Sequence, residues 1–246
     1  MSAQTKSALA PALRKLKLWE TLSDSEAQAL LDLPHQVRTL RAHQFFVREQ
    51  EQPRHCCVLI DGFATRHKTT AKGDRQIFSI HLPGDFIDLH NSLLRTADHS
   101  VEAITAATGA FIPVEAIKEM AFARPAIGRA MWYETLVDAS IFREWTLNIG
   151  RRDALTRTSH MLCELAVRME AAGLADHNGY QLPMTQMQLA DALALTAVHV
   201  NRTIRTLRED GLVEFGKRTV KIIDFPRLAL LGDFDPRYLH LRPGSI

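Results

Sequence analysis

The side chains best suited to molecular recognition lie in one short segment near the C-terminus. Arg202 carries a planar guanidinium whose paired N–H donors match the two acceptors on the edge of guanine. Asn201 beside it can pair with adenine or with a phosphate. One two-bond contact of this kind discriminates against the wrong base by about 1–3 kcal/mol. These residues therefore predict sequence-specific contact with duplex DNA.

Two short helices are predicted to position these side chains. Thr185 and Gln188 form a Thr-x-x-Gln capping box that begins the first helix, and a turn follows at 194–196. Thr196 caps the second helix, which runs to Glu209. The inward residues of the first helix are Leu189, Ala190 and Leu193. In the second helix the buried stripe is Val200, Ile204 and Leu207, and the residues away from it are Ala197, Val198, Asn201, Arg202, Arg205 and Arg208.

A basic hairpin follows the second helix. Gly211 ends that helix, and predicted strands at 212–215 and 219–223 flank a tip that contains Lys217 and Arg218. A single outward arginine more often lies on a solvated helix face, but two capped helices, a short turn and a basic hairpin together favour nucleic-acid binding. We therefore predict a winged helix-turn-helix whose second helix, about 10 Å across, enters the major groove. The two basic residues of the tip would bind flanking phosphates.

Short β-prone runs separated by turn residues occupy the chain from about 35 to 114. The runs lie at 55–60, 63–68, 76–82, 101–106 and 110–114. Gly62, Gly73 and Gly84 recur at an eleven-residue interval, which suits antiparallel strands of constant length. The pattern predicts an antiparallel β-roll or barrel, preceded by a capped helix at 24–33.

One long helix is predicted from residue 126 to about 151, with the expected hinge at 151–153. Its apolar stripe is Ile127, Met131, Val137, Ile141 and Trp145. Because this stripe exceeds what a connector between domains requires, we predict that the helix pairs with a second copy in a homodimer. The alternative is that the stripe packs only on the β-roll of its own chain. The predicted α+β chain divides into a β-roll with flanking helices (1–124), a dimerisation helix (125–150) and a winged helix-turn-helix domain (151–246).

Composition narrows the class of protein. The chain has 246 residues, 46% of them hydrophobic, which suffices for a sizeable core, and its formal charge of +2 excludes a polybasic tail protein. No apolar run approaches the roughly 18 residues of a membrane span, and the first ten residues lack the apolar stretch of a signal peptide. We therefore expect a soluble cytoplasmic protein without a membrane partner. The three cysteines fit neither a disulfide framework nor a zinc motif.

The order of β-roll, long helix and winged helix-turn-helix resembles the Crp/Fnr superfamily of bacterial transcription regulators over essentially the whole chain. Pro83-Gly84-Asp85-Phe86 resembles the family's Pro-Gly-acidic-aromatic turn, and Val200-Asn201-Arg202 resembles its recognition-helix triplet. The segment 189–202 is similar to regulators of the rhizobial, nitrogen-fixation-type branch. The resemblance implies a cyclic-nucleotide-binding-like roll and a homodimeric transcription regulator. Its partners would be double-stranded DNA, a second copy of the chain and RNA polymerase.

The resemblance also implies roles for individual residues. Those facing bases would be Arg202, Asn201, Val198 and Ala197, and those facing phosphates would be Thr185, Thr196 and His199. The full set of candidate DNA-binding residues is Thr185, Gln186, Thr196, Ala197, Val198, His199, Asn201, Arg202, Arg205, Lys217 and Arg218.

Departures from the family pattern change the expected ligands. Relatives that bind cyclic AMP carry an Arg-Ser pair where this chain has Ala97 and Asp98, and a carboxylate there repels a cyclic phosphate. The cysteine group of the family's iron–sulfur sensors has no counterpart before Cys56. Val198 replaces a base-reading glutamate and favours contact with a thymine methyl. Ala194 replaces the family's turn glycine, at a cost of about 1 kcal/mol if the turn stays left-handed. We expect no cofactor, and either no effector or one other than cyclic AMP.

Other chemistry in the roll has weaker support from spacing. His81, His90 and His99 lie near the expected pocket edge but form no His-x-His or His-x-x-x-His pair, so we predict no metal or haem site. Cys56 and Cys57 alternate along a strand, so one of them is expected to be buried, and a thiol sensor is a minor alternative. A cupin-like metal enzyme would need clustered His and Glu ligands. A winged-helix protein-docking module would not need the outward arginines. We therefore predict a regulator that is not an enzyme.

Overall fold

The computed structural model describes residues 8–176 and 179–241 and divides into two compact units. The first unit is Met1–Lys68 with Ser79–Ala139, and the second is Thr69–Phe78 with Ser140–Ile246. Most of the N-terminal segment considered for a signal peptide, residues 1–7, lies outside the described residues, as do 177–178 and 242–246. The predicted domain boundaries at 124 and 150 stay a prediction.

Seven antiparallel strands form the roll, as predicted for residues 35–114. One sheet has the order β1-β7-β3 and the other β2-β6-β4-β5. The turn glycines Gly62, Gly73 and Gly84 all have positive φ, which confirms the turns inferred from their interval. Two strands, β1 and β2, were not predicted, because β1 exposes four of its five residues and carries no alternating apolar signal. The strands are β1 (Gln36–Leu40), β2 (Phe45–Val47), β3 (His55–Asp61), β4 (Ala64–Thr69), β5 (Arg75–His81), β6 (Ser100–Ala103) and β7 (Ala107–Pro113).

The Pro-Gly-acidic-aromatic turn is a structural device of the roll. Gly84 has φ +102°, and a Cβ there would approach the carbonyl oxygen of Pro11 to 3.0 Å, so a side chain would be strained in two ways. Asp85 accepts a hydrogen bond from the backbone N–H of Leu82 at 3.1 Å and pairs with Lys15 at 2.5 Å. The acidic residue therefore fastens the turn to the N-terminal helix.

Both neighbouring cysteines of β3 are buried, which corrects the prediction that one would be. Cys56 packs in a cluster with Leu30, Ile117 and Ile127, whereas Cys57 packs in a separate cluster with other strand residues. The two thiols do point to opposite faces, but each face of the sheet is covered. Burial raises the pKa of both thiols above the ordinary range, so neither is a ready thiolate.

Within residues 8–176, four helices belong wholly or partly to the first unit. They are α1 (Ala10–Leu16), α2 (Asp24–Leu31), α3 (Val114–Ala123) and α4 (Pro125–Arg151). Ser23 and Glu26 form the predicted capping box of α2, and the long helix α4 has nearly its predicted bounds. The helix α3 was not predicted. None of the helices within 8–176 and 179–241 combines the length and apolarity that a bilayer crossing requires.

The stripe on α4 that predicted a dimer is buried in its own chain. Ile127, Met131, Val137, Ile141 and Trp145 are at most 7% exposed. Ile127 and Met131 belong to the cluster beneath the roll, and the indole N–H of Trp145 donates to Glu164 at 2.9 Å. For Ile127 and Met131 the alternative, packing on the β-roll of their own chain, is therefore correct. Any dimer contact must therefore use a different face.

The second unit begins its own helical core after a break in the helix at 152–153. Arg152 pairs with Glu144 at 2.7 Å and with Asp233 at 2.9 Å, and Asp153 caps the next helix. The helix that Asp153 caps was not predicted from the sequence. The two short strands that precede the helix-turn-helix were not predicted either. The elements are α5 (Ala154–Ala171), β8 (Ala175–Asp176), β9 (Gly179–Gln181), α6 (Gln186–Leu193), α7 (Ala197–Glu209), β10 (Val213–Phe215), β11 (Thr219–Ile222) and α8 (Phe225–Leu231).

Candidate nucleic-acid interface

The first helix of the motif, α6, begins with the capping box predicted from its sequence. The backbone N–H of Thr185 donates to the side-chain oxygen of Gln188 at 2.8 Å, and the N–H of Gln188 donates to Oγ1 of Thr185 at 3.2 Å. The three predicted inward residues are at most 5% exposed; they are Leu189, Ala190 and Leu193. Buried apolar side chains and a satisfied N-terminus together fix the orientation of this helix.

A left-handed residue makes the turn between the two helices. Ala194 has φ 51° and ψ 47°, the left-handed geometry that glycine most often adopts after a helix and that the sequence predicts for this turn. Its Cβ costs about 1–2 kcal/mol in this conformation. Leu195 then donates its N–H to the carbonyl of Ala190 at 3.0 Å, and Thr196 caps α7 through the N–H of His199 at 3.2 Å. The turn therefore keeps its predicted geometry without glycine.

The second helix, α7, presents a basic face to solvent. Val200 and Leu207 are fully buried as predicted, whereas Ile204 is only half-buried, and the polar Thr203 is buried instead. Of the eleven candidate DNA-binding residues, ten are exposed and Ala197 is half-buried. The predicted division of the helix into an inner and an outer face is therefore correct, apart from Thr203 and Ile204.

A groove of about 720 Å³ lies between α7 and the hairpin β10–β11. Seven of the candidates line it, namely Gln186, Val198, Asn201, Arg202, Arg205, Lys217 and Arg218. The other four stand at helix starts: Thr185 and Thr196 are the N-caps, and Ala197 and His199 are the first and third residues of α7. Arg208 also lines the groove and was left out of the candidate set. Arg208 lies three residues after Arg205, so helical periodicity places the two on the same face. This spacing could have identified Arg208 as a candidate from the sequence.

Two polar residues of the groove hold each other in place. Gln186 lies on α6 and Asn201 on α7, and their side-chain amides exchange hydrogen bonds. Asn201 must give up this partner, or share it, to bind a base. In contrast, Arg202, Lys217 and Arg218 have no side-chain partner within the described part of the chain, and their donors are available to DNA. The side chain of Arg205 lies 3.7 Å from Glu209.

The histidines of the roll are closer together than their spacing in sequence suggests. His90 lies in a 3-10 helix, Leu89–Ser92, and Asp98 and His99 directly precede β6. One ligand atom from each of the three lies within 4.8 Å of the other two. His81 is buried beside Asp85, 3.5 Å from its carboxylate. Sequence spacing missed the cluster because its two parts are joined only by tertiary packing.

Comparison with known proteins assigns the family. A Cyclic nucleotide-binding domain model matches residues 37–124, and a Crp-like helix-turn-helix domain model matches residues 156–231. The Transcriptional activator protein FnrL of Cereibacter sphaeroides is 31% identical over 209 residues, covering 83% of this chain and 84% of FnrL. The chain belongs to the Crp/Fnr family of transcription regulators. This confirms the resemblance inferred from the recognition-helix triplet and the order of elements.

Further relatives support the predicted branch of the Crp/Fnr family. The Nitrogen fixation regulation protein FixK of Azorhizobium caulinodans is 26% identical over 156 residues, 63% of this chain and 62% of FixK. The structure of FixK2 from Bradyrhizobium japonicum shares the fold, with a TM-score of 0.73, 24% identity and coverage of 81% of this chain and 98% of FixK2. This Crp/Fnr protein is thus a DNA-binding transcription regulator with a β-roll and a winged helix-turn-helix.

Proposed function

We propose that this Crp/Fnr regulator reads its operator with α7 and holds the flanking phosphates with the hairpin tip. The observation that supports this most directly is the groove between them, where Arg202, Lys217 and Arg218 are exposed and have no side-chain partner in the described residues. Arg202 contacts a base edge, because a guanidinium fork matches guanine. Phosphates bind at the helix starts marked by Thr185 and Thr196, where the backbone N–H groups that follow each cap and the helix dipole favour an anion.

The regulator acts as a homodimer through a face of α4 other than the buried stripe. Trp132, Leu136 and Leu147 are 65%, 51% and 44% exposed. At 100° per residue they lie within about 60° of one another around the helix axis, on the side opposite the buried stripe. An apolar row of this kind on a long helix fits pairing with an identical helix. Two symmetry-related reading helices would then contact two half-sites.

The effector of the roll is not cyclic AMP. By the family resemblance, the phosphate-binding Arg-Ser pair of cyclic-AMP regulators falls at Ala97, which is buried, and at Asp98, which carries a carboxylate. A nearby negative charge disfavours a cyclic phosphate. Since the relative FnrL is named a transcriptional activator, we infer that the DNA-bound dimer also contacts RNA polymerase.

Two substitutions test the roles of the arginine and the lysine. Operator DNA is first selected in vitro from random duplexes, and affinities are then measured over a range of salt concentrations. Arg202→Ala should weaken operator binding by about 1–3 kcal/mol and relax preference at one position of each half-site. Lys217→Ala should weaken operator and random DNA alike and reduce the salt slope by about 1.

An exposed arginine of the first unit provides the matched control. Arg41→Ala removes the same charge as Arg202→Ala, from an exposed position in the roll, and should leave operator preference unchanged. If Arg202→Ala retained wild-type discrimination between operator and random DNA, the assigned role of α7 would be wrong.

A further inference from the structure

A compact group of metal-binding side chains lies in the first unit, outside the DNA-binding groove. The rings of His90 and His99 have centroids 4.9 Å apart, and Nδ1 of His99 donates to Oδ1 of Asp98 at 2.6 Å. One ligand atom of each residue lies within 4.8 Å of the other two. Two imidazoles and one carboxylate are ligands that Zn²⁺ and Fe²⁺ both accept.

A ring nitrogen of His90 is unpaired within the described residues. Nε2 of His90 is buried and has no hydrogen-bond partner among the described residues, and an unpaired buried polar atom of this kind carries a free-energy cost.

The charges around the cluster are compatible with a cation. Arg66 is the nearby positive group, and its Nη1 lies 2.5 Å from Oδ2 of Asp138, so that pair is neutral as a unit. Asp98 contributes a carboxylate whose side chain is 74% exposed and whose Oδ1 lies 2.6 Å from Nδ1 of His99.

We propose that His90, Asp98 and His99 bind one divalent transition-metal ion, with a further coordination position open to water or a small ligand. Binding requires His99 to carry its ring proton on Nε2, because the hydrogen bond from Nδ1 to Asp98 must open to admit the ion. The ion joins the 3-10 helix that contains His90 to the start of β6. Metal occupancy therefore stabilises this end of the roll.

Cobalt titration of the full-length protein tests the site. The protein is stripped with a chelator, dialysed and titrated with Co²⁺, whose visible absorption reports coordination by nitrogen and oxygen ligands. We expect one Co²⁺ per chain, displaced by Zn²⁺. His90→Gln and Asp98→Asn should each weaken Co²⁺ binding by about 10-fold or more. Zn²⁺ should raise the unfolding temperature of the wild type and not of these variants.

Two controls keep the result interpretable. His43→Gln removes another histidine of the same unit, one bonded to Glu102 and outside the cluster, and should bind Co²⁺ like the wild type. Asp98 has a side chain 74% exposed, so Asp98→Asn tests the site even if His90→Gln impairs folding. Failure of the wild type to bind Co²⁺, or equal affinity in Asp98→Asn, would overturn the proposal.

Discussion

At the scale of single residues, the buried carboxyl of Asp88 links the stability of the roll to pH. Asp88 is 2% exposed and accepts a hydrogen bond from the backbone N–H of Cys57 at 2.7 Å. Burial raises its pKa from 3.8 to about 7, although the Cys57 amide and Arg66 act in the opposite direction. Between these two values the folded chain holds a proton that the unfolded chain has released. The Asp88 contribution therefore makes the protein less stable as pH rises from about 4 to about 7.

Replacing Asp88 with asparagine isolates this contribution. Above pH 7 the wild type keeps a charged group buried, so Asp88→Asn should raise the free energy of unfolding at pH 8, and the gain should shrink at pH 5. Urea unfolding at both pH values measures the difference between the two proteins. The exposed residue Asp61 supplies the control, and Asp61→Asn should show no such trend. A gain that is the same at both pH values would show that Asp88 does not titrate in this range.

Buried histidines change the stability of the protein with pH in the opposite direction. The wild type must therefore be compared with Asp88→Asn at each pH. Burial lowers the pKa of His81 from 6.5 to about 4. As pH falls through this window, the unfolded chain binds a proton that the folded chain does not, so this contribution to stability is lost. The pH profile of the wild type alone would mix the two effects.

At the scale of elements, the cap of α5 separates this helix from α4. Asp153 accepts from the backbone N–H of Thr156 at 2.8 Å, and that hydrogen bond lowers the pKa of Asp153. Arg152 beside it is fastened by Glu144 and Asp233. The segment predicted as a hinge is thus a helix break with a defined set of partners.

Two substitutions at Asp153 distinguish capping from charge. Asp153→Ala should reduce the free energy of unfolding by about 1 kcal/mol, because the side-chain oxygen that accepts from the Thr156 N–H at the helix start is lost. Asp153→Asn keeps an accepting oxygen and should cost much less. Chemical denaturation of the full-length protein measures both values. Equal losses in the two variants would mean that the charge of Asp153, and not its cap, stabilises α5.

At the scale of the whole molecule, the proposed homodimer makes a prediction about the exposed row on α4 (Trp132, Leu136 and Leu147). Leu136→Glu should place a charge in the proposed interface and shift the protein from dimer to a 27.7 kDa monomer, with weaker operator binding. Phe122→Glu is the control, since Phe122 is 80% exposed on α3. Sedimentation equilibrium measures the mass of each variant. A wild-type monomer, or a Leu136→Glu dimer as stable as the wild type, would contradict the interface.

Local signals determined the helix-turn-helix from the sequence. The caps at Thr185 and Thr196 act through backbone groups within three residues, so their effect is visible in a short segment. The glycine interval of the roll is likewise local, because each turn needs its own positive φ. These features determined the fold class and the exposed basic face of α7 without knowledge of the packing.

Tertiary packing alone decided three other features. On α4 both the stripe at Ile127 and the row at Trp132 are apolar, and only contact with the roll shows which one is buried. Cys56 and Cys57 are both buried because the strand has covered faces on two sides. His90 and the Asp98–His99 pair meet through the fold of the roll. Periodicity reports which residues share a face, whereas the partner of that face is set by contacts distant in sequence.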